Sequence, residues 1–289
     1  VGTTGAAFLK LAGSARESAL GDAAAAGAQG ADALFTNPAG LSTLLPESPS
    51  ELSLTYDNLL ETSYLGTAAW GLPVGRSGAF GADLVYLSQS ALTAYSGQGD
   101  AVGSFQPYDL ALALAYARRF DGFALGGSVK MIRSSLDDVA GTSAALDFGA
   151  QAGNVCLVGD RPLDVGAYLS NLGPAIKLGS LSAPLPFAFT GGALWHLATA
   201  VDTRMDVHLP SDQAPYVSLG VEGTYRFDQQ KHSASLRLGY DQNHSRELDG
   251  GAGLTVGGGL DLGGFRVDYA WVPYGGLGME NRFTLAFRF

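Results

Sequence analysis

The chain has 289 residues, a formal net charge of -10 and 15% charged residues, against ~25% in ordinary soluble domains. The acidic balance and the lack of any basic cluster argue against a nucleic-acid partner, because neutralising phosphates requires a basic face. No apolar run approaches the ~18 residues of a membrane helix, so a membrane could be crossed only by strands.

All-β chains of this length are routinely one unit. Cys156 stands alone and can form no internal disulfide. Val1 is not followed by a charged-then-apolar signal segment, which fits either a cytosolic protein or a mature form after signal-peptide removal.

The first stretch, 1–45, lacks strand character. Ser14-Ala15-Arg16-Glu17 has the form of a capping box, in which the Ser14 hydroxyl takes a free amide and Glu17 reaches back, so Ala15 to Leu20 is predicted as a short helix. Gly21 suits its left-handed end, and Asp22 can cap an alanine-rich turn over Ala23 to Ala26. Asp32 can start another turn. Asn37-Pro38-Ala39-Gly40-Leu41 places a good cap before a proline at the first helical position, where no amide is lost. These pieces are too short to stand alone. Small residues dominate, with Phe8, Leu9, Leu11, Leu20, Leu34, Phe35, Leu41, Leu44 and Leu45 as anchors, which suits a plug packed inside something else or an N-terminal helical layer.

From Glu51 onward, large apolar residues alternate with small or polar ones. Tyr108, Leu110, Leu112, Leu114 and Tyr116 oppose Asp109, Ala111, Ala113, Ala115 and Ala117, and aromatics sit at both ends of the large face. Strands are expected at roughly 51–57, 62–72, 78–88, 107–119, 123–133, 144–153, 163–171, 186–196, 200–208, 216–227, 233–242, 251–262, 265–272 and 282–289, about fourteen in all, with ends uncertain by ~2–4 residues. A sandwich gives the same alternation as a barrel, so loop lengths must decide. Asp121-Gly122, Asp228 to His232 and Gly263-Gly264 are tight, whereas 89–106, 134–143, 172–185, 243–250 and 273–281 read as longer loops. Short turns on one rim and long loops on the other describe an outer-membrane β-barrel.

In the last strand, Phe283, Leu285, Phe287 and Phe289 face one way, while Arg282, Thr284, Ala286 and Arg288 face the other. An ending on an aromatic resembles the C-terminal insertion signal of bacterial outer-membrane barrels. The loop 89–106 carries Leu92, Tyr95 and Phe105 among small polar residues, which suits a partner-binding surface.

Five opening segments, Gly5-Ala6-Ala7-Phe8-Leu9-Lys10-Leu11, Ser14-Ala15-Arg16, Leu20-Gly21-Asp22, Ala31-Asp32-Ala33-Leu34 and Asn37-Pro38-Ala39-Gly40-Leu41, together with Val267 to Gly278 and the closing Arg282 to Phe289, resemble the PorV/PorQ family of the wider FadL superfamily. The resemblance covers about sixty residues at the two ends. It implies a fourteen-stranded transmembrane antiparallel barrel over 46–289 in the bacterial outer membrane, with 1–45 as a hatch in the lumen and Asn37 to Leu41 as its motif. It implies two functional classes. One is binding of a secreted or surface protein in a type IX secretion-like assembly; the other is FadL-like passage of long-chain fatty acids or other hydrophobic compounds.

The histidines, at 196, 208, 232 and 244, have no ligand-like spacing, so no metal is expected. Gly251 to Gly264 is glycine-rich, but a strand follows where a phosphate-cradling loop needs a helix, so its inward glycines are expected to make room for the hatch. No nucleophile elbow occurs. Inward Asp83, Lys130, Asp147, Asp164, Asp202, Arg204, Asp206, Arg237, Asp241, Arg266 and Asp268 are expected to hold the hatch by ion pairs, with no enzyme activity and no cofactor.

Overall fold

The computed structural model describes residues 3–44, 49–59, 62–229, 231–247 and 251–289; the expected anchor Leu45 lies outside them. Its strands in chain order are β1 (Glu51–Asn58), β2 (Ser63–Val74), β3 (Gly78–Gln89), β4 (Leu92–Tyr95), β5 (Ala101–Phe105), β6 (Tyr108–Arg119), β7 (Phe123–Leu136), β8 (Val139–Val158) and β9 (Arg161–Leu172). There follow β10 (Ile176–Leu178), β11 (Leu181–Ala183), β12 (Ala188–Ala198), β13 (Val201–Pro210), β14 (Tyr216–Phe227), β15 (His232–Asp241), β16 (Leu254–Asp261), β17 (Phe265–Pro273) and β18 (Met279–Arg288).

Fourteen of these form one closed antiparallel barrel, in which β1 pairs with β18 from Glu51↔Arg288 to Asn58↔Asn281. Closure removes every sheet edge, which is what permits a strand structure to sit in lipid. The remaining four make two hairpins, β4–β5 and β10–β11, that stand in the connections of one rim. That rim also carries the helix α2 (Gln242–Glu247) and a 3₁₀ turn, Gly275–Leu277. On the opposite rim the connections at 75–77, 120–122, 159–160, 199–200 and 262–264 are tight.

One expected long loop is absent. Residues 134–143 continue the ladder, with Arg133↔Thr142 and Leu136↔Val139 in register, and only Asp137 and Asp138 make the turn. Asp137 adopts a left-handed φ of 53°, a conformation that a short polar side chain tolerates. The polar run hid a strand whose inward residues, Ser134 and Ser143, remain buried.

Residues 3–44 run through the lumen, from Gly5, whose amide donates to the Pro184 carbonyl at the long-loop rim, to Leu44, close to the start of β1 at the short-turn rim. The segment holds 3₁₀ turns at Ala7–Lys10, Ala31–Phe35 and Pro38–Thr43 and one helix, α1 (Ala15–Ala19). Its apolar anchors pack on inward alanines of the wall: Leu34, Leu41 and Leu44 on Ala69, Ala79, Ala115 and Ala117, and Phe8 on Ala111, Ile132 and Ala145.

Two capping expectations need correction. The Ser14 hydroxyl accepts from the Glu17 amide at 3.4 Å, but the Glu17 carboxylate turns instead to the Thr36 hydroxyl at 3.2 Å. Asp22 does not cap the turn after it. The amides of Ala24 and Ala25 both donate to Oδ2 of Asp206 on β13, each at 2.8 Å, so a wall carboxylate does that work.

Outside, the large residues of each strand are exposed, as with Leu112, Leu114, Leu219 and Val221, whereas Ala111, Ala113, Ser218 and Glu222 are buried. Outward aromatics pair at the short-turn rim, Phe80 with Tyr116 and Phe120 with Phe123 at centroid distances of 4.9 Å. An apolar band between aromatic girdles is the surface of a transmembrane barrel. Leu112→Arg is therefore expected to cost about 2–4 kcal/mol of folding stability in lipid vesicles, measured by denaturant titration, while Ala113→Ser stays near wild type. Equal stability of the two variants would show that the band does not face lipid.

Candidate functional site

The polar interior where the inner segment meets the wall is the candidate site. Asn37 sits at its centre. The Asn37 side chain caps the Pro38 turn by accepting from the Ala39 amide at 3.1 Å, and its amino group donates to the Ala25 and Ala150 carbonyls at 2.7 and 3.0 Å. One side chain thus closes a local turn, ties two parts of the inner segment together and fastens both to β8.

The approach is possible because the wall there lacks side chains. A Cβ at Gly149 would lie 2.0 Å from Asn37 Oδ1, at Gly126 2.4 Å from the Pro38 carbonyl carbon, and at Gly239 2.1 Å from the Gly21 nitrogen. In the glycine-rich strand β16, a Cβ at Gly257 would meet Ala19 at 2.4 Å. Inward glycines make room for the inner segment, as their placement on the inner face suggested.

Charge does the rest. Glu222 on β14 accepts from three arginines: Arg16 of α1 through two bonds of 3.1 and 2.7 Å, Arg204 at 2.7 Å and Arg237 at 2.8 Å. Arg237 continues to Asp268 at 2.6 Å. Arg266 reaches Asp32 of the inner segment at 2.5 Å and lies 2.8 Å from Asp268 as an ion pair without hydrogen-bond alignment. At the short-turn rim, Glu51 accepts from the Ala31 amide and from Arg288, both at 3.0 Å. Of the carboxylates expected inward, Asp206 and Asp268 enter this set, while Asp147 pairs with Lys130 at 2.9 Å, and Asp164 and Asp202 flank His196 at 3.2 and 2.8 Å.

Glu222, Arg16 and Asp32 were not singled out in the sequence as ionic partners. Glu222 alternates inward like its neighbours, but only the register that sets it opposite Asp202 on β13 and Arg237 on β15 makes it a hub.

Several cavities flank the inner segment, and two of them lie at its opposite ends. One of about 230 Å³ lies at the long-loop end, lined by Leu9, Leu11, Phe35, Tyr168, Tyr216 and several polar groups. The other, about 450 Å³, lies at the short-turn end beside Arg16, Arg119, Arg204 and His196.

The other expected site residues lie elsewhere. Leu92, Tyr95 and Phe105 belong to the β4–β5 hairpin, where Leu92 pairs with Phe105 and Tyr95 is exposed. Phe283, Leu285, Phe287 and Phe289 all point outward and are exposed. Neither group touches the lumen site.

No protein-family model and no curated protein matches this sequence. Solved structures match along nearly the whole chain. The Ralstonia pickettii toluene transporter TbuX superposes with a TM-score of 0.61 at 15% identity, over 96% of this chain and 98% of that one. The Pseudomonas putida toluene transporter TodX gives 0.59 at 13% identity, over 93% and 95%. The fold is that of these two transporters. A Pseudomonas aeruginosa FadL homologue gives 0.54 at 12% identity over 94% and 97%, so the chain shares this architecture with proteins whose sequences differ from its own at most positions.

The ionic set predicts how the inner segment is held. Glu222→Gln leaves the buried Arg204 and Arg237 and the half-buried Arg16 facing a neutral amide, and breaking a buried pair costs roughly 3–5 kcal/mol. Single-channel recordings in planar bilayers should show larger or more frequent openings than wild type; unchanged conductance would show that Glu222 does not hold the segment.

Glu17 provides a pH test. Burial first, then the nearby Asp32 and Asp22 carboxyls, push its pKa from 4.5 up to about 8. Between those values the seated segment holds a proton that a released segment gives up, so seating weakens as pH rises through that window. Protease protection of the inner segment should fall from pH 5 to pH 8 in wild type and fall less in Glu17→Gln; identical profiles would remove Glu17 from the account.

Proposed function

We propose that this FadL-like barrel resides in the bacterial outer membrane and passes small hydrophobic compounds, with residues 1–45 acting as a hatch that must shift or reshape for each passage. The observation that carries the reading is the cavity of about 230 Å³ between the hatch and the wall, where Leu9, Leu11, Phe35, Tyr168 and Tyr216 give an apolar side to a lining that also carries charged groups such as Lys130 and Asp147. A cavity of about 150 Å³ suffices to hold benzene, so a monoaromatic compound fits with room to spare. Beyond it the hatch fills the lumen, and the second cavity of about 450 Å³ receives what passes.

The mechanism follows from the contacts. Apolar compounds gain about 25 cal/mol for each Å² removed from water on entering the first cavity. The hatch blocks further travel while Arg16, Asp32, Ala24 and Ala25 keep their wall partners. Asn37 and Pro38, with Ala39, Gly40 and Leu41, form the stiff knot about which the rest of the hatch rearranges.

Of the two functional classes implied by the sequence resemblance, passage is the better supported, because the named neighbours TbuX and TodX are toluene transporters. In the competing reading, a secreted protein partner would dock on the β4–β5 hairpin at Leu92, Tyr95 and Phe105. We read Phe283, Leu285, Phe287 and Phe289 as the insertion signal of the last strand.

Cells lacking the protein should take up toluene more slowly than complemented cells, while uptake of a polar solute such as glycerol stays the same. Equal toluene uptake in the two strains would rule out passage of this class of compound.

A further inference from the structure

The inner end of the long-loop cavity is polar in a way that a hydrocarbon leaves unmet. There the cavity adjoins a smaller one of about 30 Å³, and the two share Asp22, Asp241 and His244. That volume holds one water-sized group. Three side-chain atoms around it are buried without a hydrogen-bond partner among the described residues: Asp22 Oδ1, His244 Nδ1 and Thr255 Oγ1. Thr255 is 3% exposed, so bulk water does not serve it. An unpaired buried polar atom costs about 1–3 kcal/mol, so three around one small space call for a polar occupant.

The sign of the missing group follows from the local charges. Asp22, Asp241 and Glu280 line the small cavity, facing Lys10, His244 and Arg282. Arg282 is already committed. It donates to Asp57 at 2.9 and 2.5 Å, to the Ala12 carbonyl at 2.7 Å, to Glu280 at 3.4 Å and to the Ser18 hydroxyl. Lys10 is paired with Asp212, and Lys130 with Asp147 at 2.9 Å. His244 stands 4.0 Å from Asp241, beyond hydrogen-bond range. Burial pushes the Asp22 carboxyl up, against the pull of Arg282 and His244. What fits is a compact donor of positive charge attached to an apolar body.

We propose that this is a head-group site for small primary amines: the ammonium occupies the small cavity against Asp22 and Thr255, and its apolar or arylalkyl body lies in the larger cavity against Leu9, Leu11, Phe35 and Tyr216. The inference rests on the passage of hydrophobic compounds proposed above and narrows it to a chemical class. The aromatic rings of Tyr216 and Phe35 suit a phenyl or alkyl body, and the excess of carboxylates rejects an anionic head such as a fatty acid's.

The test is isothermal titration of the purified, detergent-folded protein with 2-phenylethylamine, its hydrocarbon counterpart propylbenzene and the acid 3-phenylpropionate. The amine is expected to bind at least about tenfold more tightly than propylbenzene, the return for charge-assisted hydrogen bonds in a buried site, and the acid most weakly. Asp22→Asn should bring the amine-to-hydrocarbon ratio close to one, and Thr255→Val, a milder change, should lower it several-fold; heat-modifiable gel mobility confirms that both variants remain folded. If propylbenzene binds as well as the amine, or if Asp22→Asn keeps the preference, the small cavity holds only water and the head-group site is overturned, while passage of hydrocarbons stands. If none of the three compounds binds and toluene uptake is also unaffected by loss of the protein, both readings fall together.

Discussion

The structure depends on satisfying the backbone of a short-turned segment in a lumen where bulk water is scarce. Helical turns of four to six residues leave most of their terminal amides without internal partners. In this lumen the barrel wall supplies them. Asp206 takes two amides, Glu51 takes one, and the Thr284 hydroxyl takes that of Ala15 at 2.8 Å. In the other direction, Arg282 and Thr67 donate to the Ala12 and Gly13 carbonyls, both at 2.7 Å. The inner segment caps two of its turns itself, through Ser14 and Asn37, and leaves further terminal groups to the strands of the wall.

The same requirement shapes the wall. Glycines at 126, 149, 239 and 257 admit backbone to backbone, and alanines on β2, β3 and β6 receive the leucines of the inner segment. A wall of larger side chains would fill the lumen and exclude the segment; one of glycine and alanine alone would hold nothing in register. Arginine and carboxylate chains resolve this, since they reach across the gap and fix the segment by direction as well as charge. Because breaking any one pair strands its partner in a buried place, the pairs hold the segment as a set rather than singly. The proposed amine site lies beside Arg282, one of the residues that fastens α1.

Much of this was legible from residue order. The period of two, the paired aromatics and the alternation of turn lengths gave a closed barrel of about fourteen strands, because lipid outside and a filled lumen inside impose opposite chemistry on alternate residues. Asn37-Pro38 read correctly as a turn start for a local reason: cap and proline act within three residues of each other. Asp22 failed as a cap because its rival, Asp206, is remote in sequence and adjacent only in space. The loop at 134–143 failed because serines and aspartates in a lumen-facing strand look like loop composition.

What the sequence determined by itself is therefore whatever depends on neighbours one, two or three residues away: strand faces, turns, the last strand's outward aromatics and the cap of the Asn37 turn. Only the tertiary structure decided which charges meet. Glu222 gathers Arg16, Arg204 and Arg237 because barrel closure and strand register bring three distant stretches to one level of the lumen. The small cavity beside Asp22 is likewise tertiary, since Thr255, His244 and Asp22 lie on β16, α2 and the inner segment, and an unsatisfied atom can be recognised only once everything around it is in place.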